Sequence, residues 1–399
     1  MEAVCWQLQH IKFQEMNNTI TGGEKQMRRC VAIYPQQLNE EYVSRVKKTI
    51  ELAARYGFRE VFTTLHLPEY RLDIQLDCLA ITAKQAKEKG LEVTVDIGGP
   101  FIAQILNDKK NLLRMKDIAF DFLRLDYGYS LAQVGSLYKE LSFDGFVINA
   151  SIYDEEEIDR QIEAFRRLDP KIRLRACHNF YPRAETGLEE GFAIRQDSYF
   201  KKHDIPICYS VPSYSDPRGP LHQGLCTIEK HRYAPLREII CDLCLNYQAE
   251  AILMADEWLS EEEFREVYTT LVVLNEHLDK TVKIKVVFEE GVSQKGKDIV
   301  LGKHCFRYDS SSAILRSKSS RQMAEYASEI EVNNTIRRDA GAITIDNRLY
   351  KRYSGELQVV LKNKEADERV NVAARIKDPD DLIRLRRFKE GTDYLFVEE

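Results

Sequence analysis

Acidic residues stand at the ends of several short apolar runs in this chain, and paired-carboxylate chemistry needs that placement. In Val93-Thr94-Val95-Asp96 the valines share one strand face, which puts Thr94 and Asp96 on the other. In Phe122-Leu123-Arg124-Leu125-Asp126 the same alternation puts Arg124 and Asp126 opposite the leucines. Asp256 follows an apolar run, Asn149 closes Val147-Ile148, and His178 and Asn179 close another. Tyr34 shares a face with Ala32, and His66 with Thr64. Neighbouring strands lie about 4.8 Å apart, a working distance for two carboxyl groups. One would donate a proton to a leaving oxygen. The other would attack a sugar carbon, activate water or stabilise positive charge, as in glycoside hydrolysis. The candidate catalytic acids are Asp126, as nucleophile or charge stabiliser, and Asp96 or Asp256, as acid/base. A structural reading stands beside this one, in which Arg124 and Asp126 form an internal ion pair.

Two cationic loops supply candidate anion grips. One runs His178-Asn179-Phe180-Tyr181-Pro182-Arg183. The other runs Asp216-Pro217-Arg218-Gly219-Pro220-Leu221-His222 and continues to Glu229-Lys230-His231-Arg232. Guanidinium forks fit phosphate or carboxylate oxygens, so Arg183, Arg218, His222 and Arg232 are read as substrate-binding. Cys241-x-x-Cys244 lacks a second ligand pair and reads as core rather than zinc site. No GxGxxG, Walker A or GxSxG string is present, which speaks against nicotinamide, ATP-hydrolysing and serine-hydrolase chemistry. No cofactor and no metal are expected on the hydrolase reading. A second enzymatic reading is a metal-dependent sugar-phosphate isomerase or aldolase that uses the same strand-end acids. A third is a non-catalytic binding protein.

The elements that position these residues repeat. Eight short strands are predicted at Cys30–Pro35, Glu60–Leu65, Glu92–Gly98, Phe122–Gly128, Gly145–Ser151, Arg173–Phe180, Ile205–Ser213 and Ala251–Glu257. Helix-period segments lie between them, among them Glu40–Tyr56, Gln75–Lys89, Leu131–Leu141, Glu155–Leu168 and Pro235–Tyr247, with Ser260–Asp279 after the eighth. Eight such units in about 250 residues have the size of a (β/α)8 TIM barrel, whose chemistry sits at the carboxyl ends of the strands. A doubly wound sheet would want glycines after its first strand, where this chain reads Tyr34-Pro35-Gln36-Gln37-Leu38. Past residue 280 the pattern becomes mostly β: Thr281–Glu290, Ala342–Asp346, Glu356–Leu361, Val370–Arg375 and Tyr394–Val397 read as strands, and Asp378–Asp381 as a turn. The expected organisation is an N-terminal extension over 1–27, with Met27 a candidate start, then a barrel domain over 28–280 and a β domain over 281–399.

Composition sets outer bounds. The 399 residues are 44% apolar and 31% charged, with a net charge of −6. That mix supports a large core and argues against disorder as the dominant state. The acidic balance argues against a nucleic-acid partner. No run approaches the roughly 18 apolar residues a membrane span needs. Nine scattered cysteines fit reduced core thiols and a cytoplasmic location.

Ordered motifs carry a family resemblance. They include Ile33-Tyr34-Pro35, Leu65-His66-Leu67-Pro68-Glu69, Asp96-Ile97-Gly98, Arg124-Leu125-Asp126-Tyr127-Gly128 and Ile148-Asn149-Ala150-Ser151. His178-Asn179-Phe180-Tyr181-Pro182-Arg183, Arg218-Gly219-Pro220, Gly341–Asn347 and Tyr353–Gln358 continue the series. Over about residues 28–398 the chain resembles the bacterial 6-phospho-N-acetylmuramidases. The resemblance implies a TIM barrel followed by a cyclophilin-like β-barrel. It implies cytosolic cleavage of N-acetylmuramic acid 6-phosphate-β-1,4-N-acetylglucosamine in cell-wall recycling. That substrate carries a phosphate and a lactyl carboxylate, which fit the cationic loops. Tyr34, His66, Glu69, Arg124, Asn149, His178 and Asn179 join Arg183, Arg218, His222 and Arg232 as expected substrate contacts. The β domain is expected to cap the barrel mouth or to complete a neighbouring copy's site in a homodimer.

Overall fold

The computed structural model describes residues 27–247, 249–276, 281–320, 330–388 and 391–399. Most of the predicted N-terminal extension, 1–26, lies outside the described residues. The described residues divide into two compact units, 27–234 with Tyr247–Glu261, and Pro235–Asn246 with those of Glu262–Glu399.

In the first unit eight parallel strands close into a barrel in chain order: β1 (Arg28–Ala32), β2 (Glu60–Thr64), β3 (Glu92–Ile97), β4 (Phe122–Leu125), β5 (Gly145–Asn149), β6 (Arg173–Cys177), β7 (Ile207–Val211) and β8 (Ala251–Met254). β1 pairs with both β2 and β8, which closes the ring. The register sets Asp96 beside Arg124 across β3 and β4. Strand alternation fills the interior: Cys30, Ala32 and Tyr34 from one end of the ring, Phe62, Phe122, Val147, Cys177 and Cys208 around it, and Ala251, Leu253 and Ala255 from the last strand. Burying a side chain such as Phe122 contributes about 2–3 kcal/mol.

The helices between strands carry the expected signals. Glu40–Arg55 is capped by Asn39, whose side chain accepts from the Tyr42 N–H, and it places two glutamates in its first turn. Leu131–Glu140 opens with a capping box made by Ser130 and Gln133. Three helices stand where no helix is predicted above: Gly99–Asn107 and Lys109–Lys116 after β3, and Glu190–Lys201 after β6. Gly98, Gly99 and Pro100 read as breakers, yet Pro100 sits in the first turn, where its missing N–H costs nothing. Gly99 also lets two backbones cross, for a Cβ there would lie 1.8 Å from the Gly128 carbonyl oxygen. That crossing is tied by a 2.8 Å bond from Gly99 N–H to the Tyr127 carbonyl. It holds the chain segments that leave Asp96 and Asp126.

The second unit holds a seven-stranded mixed sheet in the order β10 (Lys303–Cys305), β15 (Asp393–Glu398), β9 (Thr281–Phe288), β14 (Val370–Ile376), β12 (Ala342–Asp346), β13 (Leu357–Val360), β11 (Ile314–Arg316). A bridge between Phe306 and Ser317 joins the continuations of the two outer strands, which curls the sheet into a small barrel-like form. Its core includes Ile284, Val286, Ile343, Ile345, Val359, Tyr394 and Phe396. One local expectation is corrected here. Asp378–Asp381 is not a turn but the start of the helix Pro379–Arg386, with the Asp378 side chain accepting from the Asp380 N–H. Gly296 lies inside the helix Gln294–Leu301, capped by Ser293. In both, the N-cap signal outweighed the proline or glycine. No described helix is long and apolar enough to cross a membrane.

Candidate active site

The carboxyl ends of β2 to β6 build a connected polar cluster. Arg124, 4% exposed, projects from β4 toward the barrel axis. Its Nη1 donates to Asp96 Oδ1 at 2.6 Å and to Asp126 Oδ1 at 3.1 Å, and its Nη2 to Asn179 Oδ1 at 2.6 Å. Asn149 Nδ2 donates to Asp126 Oδ1 at 3.1 Å and to Asn179 Oδ1 at 2.9 Å. His66 Nε2 lies 3.6 Å from Asp96 Oδ2 and 3.6 Å from Asp126 Oδ2, with its Nδ1 3.0 Å from the Thr64 hydroxyl. The predicted residues Asp96, Asp126, Arg124, His66, Asn149 and Asn179 therefore meet at one point.

Electrostatics separates the two acids. Asp96 is buried and Asp126 half-buried. Burial raises the Asp96 pKa above the ordinary carboxylate range, and Asp126 adds to the rise. Arg124 and His66 oppose it without cancelling it. Burial would lower the Arg124 pKa, but Asp96 and Asp126 hold the guanidinium charged. One guanidinium thus serves two acids, and the buried Asp96 retains its proton above the ordinary carboxylate range. One oxygen of each carboxylate and a ring nitrogen of His66 lie within 4.8 Å of one another. That trio has the composition of a small divalent-cation site. Arg124 Nη1 already brings a positive charge to both carboxylates, so the donor set favours a proton over a second cation.

A buried relay fixes the far side of the cluster. The Ser151 N–H donates to Asn149 Oδ1 at 3.0 Å, and the Ser151 hydroxyl lies 3.0 Å from His178 Nδ1. His178 Nε2 lies 3.0 Å from Asp197 Oδ1, and Tyr209 donates to Asp197 Oδ2 at 2.8 Å. His178 thus has both ring nitrogens committed and orients Ser151, which accepts from the Asn179 N–H at 2.9 Å. Asp197 was not legible as part of this group. It lies on the helix after β6, whose apolar spacing is weak.

The other expected site residues are placed differently. Asp256 follows Ala255 and so leaves the axis face. Its oxygens accept from the N–H groups of Ser213 (2.9 Å), Arg218 (2.8 Å) and Leu225 (3.0 Å). Burial pushes its pKa up against those three donors. This geometry fits a clamp on the loop after β7 rather than a proton shuttle. Arg232 is 1% exposed and spends its donors on Glu229 and on the carbonyls of Tyr181, Gly224, Gln223 and Arg183. It staples the loops after β6 and β7. Glu229 answers it, and that pairing lowers the Glu229 pKa to about 2. Arg183 contributes its carbonyl to this staple, and its side chain is exposed.

Arg218, His222 and Glu69 line a cavity of about 380 Å³ among the loops after β1, β2, β7 and β8. Tyr34 borders Arg218, whose guanidinium stacks 3.7 Å from the ring centroid. The Tyr34 hydroxyl donates to the Ala255 carbonyl at 2.9 Å. Glu257 and Gln36 also line this cavity. Alternation carries the axis face from Tyr34 to Gln36 and from Ala255 to Glu257, a signal that identifies both.

Comparison with known proteins agrees with this architecture. A family model described as 6-phospho-N-acetylmuramidase, N-terminal, matches residues 30–269, and its C-terminal counterpart matches residues 282–397. A crystal structure of an uncharacterized B. cereus protein is 24% identical. The match covers 94% of this chain and 100% of that one, with a TM-score of 0.60. A conserved Enterococcus faecalis protein of unknown function is 27% identical over 93% of this chain and 96% of that one, with a TM-score of 0.57. No curated protein matches the sequence.

Proposed function

The chain belongs to the 6-phospho-N-acetylmuramidase family and is a glycosidase, and we propose that it hydrolyses N-acetylmuramic acid 6-phosphate-β-1,4-N-acetylglucosamine in the cytoplasm during peptidoglycan recycling. One observation carries the catalytic part of this reading. Asp96 and Asp126 meet at the carboxyl-terminal mouth of the barrel with oxygens no more than 4.8 Å apart, and burial raises the pKa of Asp96.

On this reading the protonated Asp96 carboxyl donates to the glycosidic oxygen as the bond to the anomeric carbon breaks. The Asp126 carboxylate, held by Arg124 and Asn149, faces the anomeric carbon. It attacks that carbon, or it orients the substrate's 2-acetamido group to attack in its place. Water then opens the intermediate with Asp96 taking its proton. Inverting enzymes separate their carboxyl groups by about 6.5–9.5 Å to admit a water between them. The closer pair here supports two successive displacements and net retention. His178, Ser151 and Asp197 act as positioning residues through Asn149 and Asn179. Arg218 and His222 would bind an anionic substituent of the sugar.

The test is mass spectrometry of products from the phosphorylated and unphosphorylated disaccharides, with proton NMR of the first-formed anomer. Cleavage of the phosphorylated form with β product is expected. Absence of cleavage in folded protein overturns the substrate assignment, and an α product overturns the paired-displacement chemistry.

A further inference from the structure

Glu257 shares the 380 Å³ cavity with the arginine expected to bind anion. Among the described residues, the Arg218 side chain makes one hydrogen bond, from Nε to Glu257 Oε1 at 3.2 Å. Glu257 is 6% exposed, and its second oxygen accepts from Gln36 Nε2. Arg45, on the helix Glu40–Arg55, is already paired with Asp216 at 2.8 Å and lies over the Trp258 ring at 4.4 Å. The charged and titratable groups around Glu257 are then Arg218, Asp216 and His222 from the loop after β7, Arg45 and Tyr42 from that helix, Glu69 from the loop after β2, Tyr34, and the clamped Asp256. His222 and Trp258 hold φ values of 52° and 59°. A non-glycine backbone in the left-handed region stores strain, and such strain collects at ligand sites.

We propose that Arg218 and Glu257 form a proton-linked latch: Glu257 holds the guanidinium until an anionic substituent of the sugar displaces it, and Glu257 takes up a proton in exchange. The inference rests on the reading of Arg218 as an anion-binding residue. An anion on Arg218 would bring negative charge against a buried carboxylate that had just lost its cation. Protonation removes that repulsion. Burial already pushes the Glu257 pKa up to about 7, with Arg218 and Gln36 opposing, so the proton is available near neutrality. Anion binding raises that pKa further. Affinity is therefore full below about pH 7 and falls as pH rises above it, by up to about tenfold per pH unit. The substrate's phosphate has a second pKa near 6, so its own titration is finished in this window.

The experiment is calorimetric titration of the full chain with N-acetylmuramic acid 6-phosphate at pH 7.5 and 8.5, in two buffers of different ionisation enthalpy. The expected result is uptake of about one half to one proton and a Kd several-fold weaker at the higher pH. Glu257→Gln should bind without proton uptake and with a flat Kd. N-acetylglucosamine 6-phosphate and N-acetylmuramic acid, run in parallel, assign the latch to phosphate or lactyl carboxylate by which one keeps the uptake. No uptake in the native protein, or the same pH slope in Glu257→Gln, overturns the latch. If Glu257→Gln does not fold, the native measurement decides alone. Disaccharide cleavage without proton uptake sinks the latch and leaves the hydrolase reading standing, whereas loss of cleavage sinks the hydrolase reading.

Discussion

The two ends of the barrel hold buried ion clusters made from the same residue types, with opposite outcomes. At the amino-terminal end Glu60 forms an ion pair with Arg28, whose Nε lies 2.9 Å away, and accepts from Arg175 Nη1 at 3.1 Å and the Thr94 hydroxyl at 2.6 Å. Burial pushes the Glu60 pKa up, but Arg28 and Arg175 more than reverse it, and the net shift is downward. Two guanidiniums meet on Glu60, Arg175 also reaching Glu92 at 2.6 Å, and the fixed anion ties strands together. At the carboxyl-terminal end one cation, Arg124, is shared by Asp96 and Asp126, and the Asp96 pKa moves upward. Both acids are buried, so the guanidiniums that face each one, rather than burial, decide which stays ionised and which keeps its proton to higher pH than usual.

Mutation sharpens this contrast. The largest effect is expected at the mouth. Asp126→Asn should lower kcat by about 10³-fold or more while thermal unfolding stays close to native, because the substitution keeps the shape and removes the anion proposed to react. Near-native turnover would break the comparison at its catalytic end. Next comes Glu60→Gln, which takes the carboxylate from Arg28 and leaves Arg175 only its pairing with Glu92. Breaking a buried pair costs about 3–5 kcal/mol, so urea unfolding should show a loss of that order, while kcat of the folded fraction stays within about threefold. A large fall in kcat with unchanged stability would reverse the two roles.

The smallest effect is in the pH dependence of stability. Glu60 has a depressed folded pKa, so its contribution is present above the unfolded value and is lost as pH falls below it. Asp96 has a raised folded pKa, so its contribution is present below the unfolded value and is lost as pH rises through the folded one. Urea midpoints measured from pH 3 to 8 should therefore show Asp96→Asn without the decline that native protein shows on leaving acid. Glu60→Gln should lack the rise. Parallel curves for native protein and both variants would remove the electrostatic distinction.

The arrangement of secondary structure was written locally. Strand alternation in Val93–Asp96 and Phe122–Asp126 located the acid pair, and the strand count with no glycine loop after β1 separated a closed barrel from an open sheet. Helices with Pro100 and Pro379 in their first turns were obscured because proline breaks most helices and starts some; Asp378 caps the second with one side chain, and Gly98 offers the first no such signal. The same alternation rule, extended past strand ends, places Glu257 on the axis face and Asp256 off it. An acidic residue after an apolar run does not state which face it takes.

By itself the sequence determined the barrel, the β domain and the meeting of Asp96, Arg124 and Asp126, because periodicity and burial act on neighbours along the chain. Only the tertiary structure decided what each charge does there. Arg232 and Arg218 are the same residue type in the same loop region. One is exhausted by backbone carbonyls and Glu229, and the other faces a cavity beside Glu257. A side chain's remaining hydrogen-bonding capacity and its pKa depend on groups far apart in sequence, and folding alone brings those groups within reach.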